Sequence, residues 1–238
     1  MKRCLANLIY GDANIFPGAR PEFDPARRAD ARDWPAQAHT MIGLKRLDNL
    51  QQCVEDVIAR GVPGDLIETG VWRGGATIFM RALLEAYEEP ERRVWVADSF
   101  QGLPLPDAVR YPLDRGTEVL HGYRELAVPE DEVRANFARY GLLDERVQFL
   151  AGWFRDTLPT APIERLAVLR LDGDMYESTM DALVSLYPKL AAGGYCIVDD
   201  YGDLPTCRCA VDDYRARRGI RDPIQVIDWA AVYWQKSR

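Results

Sequence analysis

The longest regular hydrophobic pattern runs from Thr40 to Gly61, "TMIGLKRLDNLQQCVEDVIARG", with apolar residues at Leu44, Leu47, Leu50, Val54, Val57 and Ile58. This is the three-and-four spacing of one helix face, and Gly61 is suited to stop it. Beyond it, short apolar runs alternate with helical patterns. "DLIET", "RVWVADSF", "RVQFL", "LAVLRL" and "YCIVDD" read in turn as strands. Between and after them, "ATIFMRALLEAYEE", "PEDEVRANFARYGL", "ESTMDALVSLYPKLAAGG" and "TCRCAVDDYRARRGI" read as helices. Pro129 and the acids after it suit the positive start of the second, and Gly193-Gly194 is expected to end the third. The last two strand patterns, "IQVID" and "AVYWQK", are joined only by "WA", too short a link for a parallel crossover. The expected fold is therefore α/β: an open, mostly parallel sheet, helices on both faces, and an antiparallel final pair.

The segment before Thr40 breaks the alternation. "FPGARPEFDPARRADARDWPAQ" is crowded with proline, arginine and aspartate, and the expectation for residues 1–39 is an irregular or mobile arm preceding a single domain over 40–238. A length of 238 residues with 47% hydrophobic residues suits that organisation and a real core. The net charge of −7, with no basic block to offset it, argues against a nucleic-acid partner. No secretory leader is visible at the start, and no apolar run approaches the roughly 18 residues of a membrane span. Five scattered cysteines and only two histidines, His39 and His121, offer no zinc spacing even at Cys207-Arg-Cys209. Reduced thiols and a cytoplasmic location are the expectation.

In such sheets ligands sit beyond the carboxyl ends of the strands, where strand order reverses. Five polar motifs fall at such ends: "ETGVWRGG", "DSFQGLP", "GWFRDTLP", "DGD" and "DDYGD". In the first, Gly70, Gly74 and Gly75 allow a tight turn and close backbone approach to a ligand. Trp72 occupies the position where a dinucleotide loop needs a small residue, which disfavours a nicotinamide cofactor and favours the phosphate-free S-adenosylmethionine. Glu68 is placed to meet an ammonium group. Asp98 ends the second strand, where a carboxylate accepts from ribose hydroxyls or caps a helix. Gly152 and Trp153 offer an aromatic and an accessible backbone for adenine, or Trp153 is plain core.

The fourth and fifth strands end in acids: Asp172 and Asp174, then Asp199 and Asp200. If these strands are neighbours, Asp172, Asp199 and Asp200 converge. Two unit charges about 5 Å apart at an effective dielectric of about 20 repel by roughly 3 kcal/mol, so three unrelieved pairs would cost on the order of 10 kcal/mol. Protonation or a cation relieves this, and an oxygen-only donor set with open positions suits Mg²⁺. The alternative is solvated carboxylates with Asp200 capping the next helix. Spacing does not decide whether Asp174 joins the metal or faces the substrate, where a carboxylate can serve as general base.

Taken together, "TMIGLKRLDNL", "DLIETGVWRGGATIFMRALLEAY", "VWVADSFQGLP", "GWFRDTLP", "LAVLRLDGDMYESTMDAL" and "GGYCIVDDY" resemble the macrocin O-methyltransferase family from about Thr40 onward. Members of that family methylate sugar hydroxyls on natural products such as macrolides and aminocoumarins. The resemblance implies a Rossmann-like class I methyltransferase fold with seven strands, S-adenosylmethionine and Mg²⁺ as cofactors, a glycosylated small-molecule acceptor, and homo-oligomers. By motif it implies Asp172, Asp199 and Asp200 as metal ligands and Asp174 as catalytic base. Its cofactor contacts fall on Met41, Glu68, Thr69, Gly70, Arg73, Gly74, Asp98, Ser99, Gly152, Trp153 and Asp172. The arm and the "LDRGTEVLHGYRELAVPEDE" loop, with His121 and Tyr123, match regions that cover the acceptor. Rival readings are a metal-dependent methyltransferase of a catechol or phenol, a nicotinamide-dependent oxidoreductase, and a catalytically silent protein that retains the fold.

Overall fold

The structure is a computed structural model that describes residues 1–237. Its arm carries two short helices, α1 (Lys2–Leu5) and α2 (Pro25–Ala29), and α3 (Gly43–Ala59) opens the domain proper. There follow β1 (Asp65–Thr69), α4 (Gly75–Ala86), β2 (Val94–Asp98), α5 (Glu118–His121), α6 (Glu130–Arg139), β3 (Val147–Ala151) and α7 (Phe154–Thr157). The chain ends with β4 (Leu166–Leu171), α8 (Tyr176–Leu186), β5 (Leu190–Val198), α9 (Pro205–Arg218), β6 (Gln225–Val226) and β7 (Val232–Gln235).

The seven strands form one sheet in the order β3-β2-β1-β4-β5-β7-β6. The first five in that order pair in parallel, and β7 pairs antiparallel with both β5 and β6. The strand runs are continuous rather than alternating because both faces are covered. On β2, Val94 and Val96 join a core with Leu47 and Val54 of α3, Ile78 of α4 and Phe137 of α6. Trp95 and Ala97 face the other way, into a core with Leu183 of α8, Val211 of α9 and Trp234 of β7. All six residues of β4 are buried. Among the described residues no helix is long and apolar enough to cross a membrane.

Two expectations are corrected here. The helix after β4 stops at Leu186, short of the two glycines expected to end it. Pro188 has no N–H to continue the helical ladder, so the chain turns and Gly193-Gly194 fall inside β5. A Cβ at Gly194 would lie 2.7 Å from the Ala167 carbonyl oxygen, so this glycine lets β5 pass close to β4. The arm is irregular, as its composition predicts, but it is packed down. Arg28 is 0% exposed; its Nε donates to Asp33 Oδ1 at 2.8 Å, and its Nη1 donates to Asp12 Oδ1 at 2.6 Å and to the Ala6 carbonyl at 3.1 Å. A buried, saturated ion-pair knot replaces the regular structure that proline and aspartate deny the segment.

A second ion pair makes a pH test. Arg81 of α4 donates through Nη2 to Asp144 Oδ2 at 2.5 Å, just before β3, and chiefly this bond draws the Asp144 pKa down to about 2. A carboxylate whose folded pKa lies below its unfolded value stabilises the fold above the unfolded pKa and loses that contribution as pH falls through the folded one. Solvent screening at this partly exposed pair reduces the contribution to about 1 kcal/mol or less. Urea unfolding at a series of pH values should show Asp144→Asn less stable than the parent near neutrality and less sensitive to acid between about pH 5 and 2. A mutant with the parent's pH slope contradicts this.

Candidate active site

Strand order reverses between β1 and β4, and the loops leaving these strands open onto a cavity of about 390 Å³. Its walls include Met41, Glu68, Gly70, Asp98, Ser99, Gly152 and Trp153 on the side of β1, β2 and β3. They also include Asp172, Asp174, Asp199 and Asp200 from the ends of β4 and β5. Thr69, Arg73 and Gly74 do not line it. Arg73 instead donates through Nη1 to the carbonyls of Pro35 (3.0 Å) and Ala38 (3.1 Å), fastening the arm to the glycine loop. Gly74 sits at φ 85 before α4, where a Cβ would meet Val133 Cγ1 at 2.8 Å, so it serves helix packing. His121 does not line the cavity and meets the Leu103 carbonyl at 2.8 Å, whereas Tyr123 lines it.

Gly70 has a structural duty beyond any ligand. At φ 85, a Cβ there would come within 1.7 Å of the Asp172 carbonyl oxygen. The ends of β1 and β4 close to this distance only because the side chain is absent. Trp72, two residues on, takes the left-handed region at φ 48, and its indole N–H donates to the Glu125 carbonyl at 2.8 Å. The glycine loop thus carries the loop that follows β2.

Glu68 is 2% exposed and pushed up to about 8, chiefly by burial and against the pull of Arg170. Its Oε1 accepts from Arg170 Nη1 at 2.5 Å, and its Oε2 has no partner. An orphaned buried carboxylate oxygen on the cavity wall fits an ammonium donor. Asp98 caps no helix: its Oδ2 accepts from the Val71 N–H at 2.7 Å and its Oδ1 from the Phe100 N–H at 2.8 Å. The Ser99 hydroxyl lies 3.5 Å from Oδ1 as a further donor.

The acids of β4 and β5 converge because these strands are neighbours, with Leu171 opposite Val198. One oxygen from each of Asp172, Asp199 and Asp200 lies within 4.8 Å of the other two. Three carboxylate oxygens this close, from loops with room on one side, fit a hard divalent cation such as Mg²⁺. Asp200 does not cap α9; its Oδ2 accepts from the Asp174 backbone N–H at 3.2 Å. Asp174 occupies the left-handed region at φ 59, a strained conformation for a residue with a Cβ. Burial, followed by its acidic neighbours, raises the pKa of Asp172, Asp174 and Asp200 alike.

Two guanidiniums that sequence reasoning missed share this charge. Arg170, 1% exposed within β4, bonds Glu68 and Asp172 (2.7 Å) through Nη1, and Asp199 through Nη2. Arg46 of α3 pairs with Asp199 and, through Nε, with Asp228 at 2.8 Å. Arg170 had a signal: a charge in the middle of an apolar strand must be paired. Arg46 had none, since its partners lie far along the chain. Asp114, fully buried in the loop between β2 and α6, was also missed; it accepts from the N–H groups of Tyr176 (2.7 Å) and Glu177 (2.9 Å). That loop is thereby tied to the start of α8, directly after Asp174.

A sheet of this order, with a glycine turn after β1 and a carboxylate ending β2, defines a Rossmann-like class I O-methyltransferase fold. The chain belongs to the macrocin O-methyltransferase (TylF) family, whose model matches residues 7–236. The match reaches into the arm, well before Thr40, where the sequence resemblance was placed. The chain is 59% identical over its full length to the 8-demethyl-8-(2,3-dimethoxy-alpha-L-rhamnosyl)-tetracenomycin-C 4'-O-methyltransferase of Streptomyces olivaceus, covering 91% of that protein. It is 55% identical to the demethyldecarbamoylnovobiocin O-methyltransferase of Streptomyces niveus, covering 100% of this chain and 92% of that one. Among solved structures, the O-methyltransferase NovP superposes with a TM-score of 0.94 at 57% identity, over 99% of this chain and 96% of the other. The protein is an O-methyltransferase.

Removing Arg170 leaves the buried Glu68 and Asp199 and the partly buried Asp172 without their shared cation, a loss of about 3–5 kcal/mol. Arg170→Met should therefore unfold at markedly lower urea concentration than the parent. An unchanged midpoint would show that the strut is dispensable.

Proposed function

We propose that the enzyme transfers the methyl group of S-adenosylmethionine to a sugar hydroxyl of a glycosylated natural product in antibiotic biosynthesis, with Mg²⁺ bound and Asp174 as general base. One observation carries the reading: the three converging carboxylates and Asp174 stand on the wall of the same cavity as Glu68 and Asp98. The relatives named above support the acceptor class, because one is named for the 4'-O-methylation of a rhamnosyl-tetracenomycin and the other for the methylation of demethyldecarbamoylnovobiocin.

Glu68 accepts through its free Oε2 from the ammonium of the methyl donor, and Asp98 accepts from the ribose hydroxyls. Met41, at the entrance to α3, closes over the donor, and Gly152 and Trp153 border the adenine. Asp172, Asp199 and Asp200 hold the cation, with Arg46 and Arg170 fixing Asp199 from both sides. A divalent cation there would offset the mutual repulsion of the acids and acidify a hydroxyl brought to it. Asp174 takes the proton of the acceptor hydroxyl as the new C–O bond forms and the C–S bond of the donor breaks, leaving S-adenosylhomocysteine. Alignment of the hydroxyl with the methyl carbon supplies a further share of the barrier reduction.

Asp174→Asn should bind S-adenosylmethionine as the parent does while kcat falls by about 10²–10⁴-fold. Calorimetry and single-turnover transfer to a glycoside check the two halves, and undiminished turnover removes Asp174 from the mechanism. Treatment with EDTA should abolish activity and added Mg²⁺ should restore it; full turnover in chelator contradicts the cation's role.

A further inference from the structure

Three aromatic rings stand at the rim of the cavity and have no part in the chemistry above. Phe16 and Trp34 come from the arm, and Tyr123 comes from the loop between β2 and α6. Phe16 and Trp34 meet edge to face at 4.9 Å between centroids, and Trp34 and Tyr123 do so at 5.3 Å. Phe16 and Tyr123 complete the triangle at 6.4 Å. All three line the cavity, yet none belongs to either hydrophobic core. Phe16 remains 41% exposed. The rings therefore do not hold the fold together, and they keep apolar surface open to the cavity mouth.

We propose that Phe16, Trp34 and Tyr123 form a subsite for the apolar, planar part of the acceptor that lies beyond its sugar. The inference rests on the sugar-acceptor reading given above. Its ground is the gradient of burial across the cavity. Asp199, 4% exposed, marks its closed end, and Phe16, 41% exposed, marks its mouth. With the sugar held at the floor, the portion of the acceptor that reaches the mouth is the aglycone. Aromatic rings gain most from a flat apolar partner, by area burial and by stacking or edge-to-face contact. The rings are also set in place beforehand. The Trp34 N–H donates to Asn14 Oδ1 at 3.1 Å, and its carbonyl accepts from the Ile15 N–H at 2.7 Å. The Tyr123 loop is held by the Trp72 indole and by Asp114. Such preorganisation lowers the ordering cost of binding.

The probes are 4-methylumbelliferyl α-L-rhamnoside and methyl α-L-rhamnoside, titrated by calorimetry into the protein holding S-adenosylhomocysteine and Mg²⁺. The aryl glycoside should bind the parent about tenfold more tightly. In Trp34→Ala and in Phe16→Ala that preference should fall to twofold or less, with S-adenosylhomocysteine affinity retained as the check on folding. If Trp34→Ala loses that affinity, Phe16→Ala decides, since its ring is exposed and its loss leaves the core intact. Equal binding of the two glycosides to the parent, or a preference that survives in the deciding variants, overturns the subsite and leaves the sugar reading standing. Binding of neither glycoside overturns the sugar reading and the subsite with it.

Discussion

The site depends on one buried guanidinium. Arg170 sits inside the central strand β4 and ties together Glu68 at the end of β1, Asp172 at the end of its own strand and Asp199 at the end of β5. Without that cation, three strands would end in mutually repelling carboxylates held in a medium of low polarity. Arg46 adds a second positive charge from α3, fixed in turn by Asp228. Among the described residues, Glu68, Asp172 and Asp199 pair with these guanidiniums, whereas Asp174 and Asp200 pair with neither. Burial first, and then the acidic neighbours, raises the pKa of Asp172, Asp174 and Asp200. The site keeps its shape through Arg170 and Arg46.

The same region concentrates backbone strain. Trp72 and Asp174 both occupy the left-handed region, at φ 48 and 59. Non-glycine residues held there cost of order 1–3 kcal/mol each and persist only where surrounding contacts enforce them. The enforcing contacts are identifiable: the Trp72 indole bonds the Glu125 carbonyl, and the Asp174 backbone is gripped by Asp200 Oδ2 on one side and the Thr206 hydroxyl on the other. Together with the close passage at Gly70, these contacts set where Asp174 stands relative to the three converging acids.

Two separate covers meet above this floor. The arm is knit together by the Arg28 knot and fastened to the domain by Arg73, and the loop after β2 is fastened by Asp114 at α8 and by Trp72. Their anchors are buried or polar, and where the two covers meet at the cavity the contact is aromatic, through Phe16, Trp34 and Tyr123.

How much of this was legible in the chain follows from the range of each interaction. Apolar runs and helical spacings are local, so the strands, most helices and the sheet class could be read directly, as could the acids at the strand ends. The reading failed where a local signal had two meanings: Gly193-Gly194 looked like a helix stop but served a close strand passage, because Pro188 had already ended the helix. Arg73, which the resemblance sets among the cofactor contacts, also has a task no local signal announced, since it reaches back to the arm. Asp200 was open between ligand and helix cap, and its capture of the Asp174 N–H excludes the cap. The pairing of Arg46 with Asp199 and Asp228, the docking of Asp114 on α8 and the meeting of Phe16, Trp34 and Tyr123 had no local signal. The sequence by itself determined which residues end each strand and what chemistry they carry. Only the tertiary structure decided which charges are shared and which rings meet, because those distances are set by strand order and chain crossings rather than by spacing along the chain.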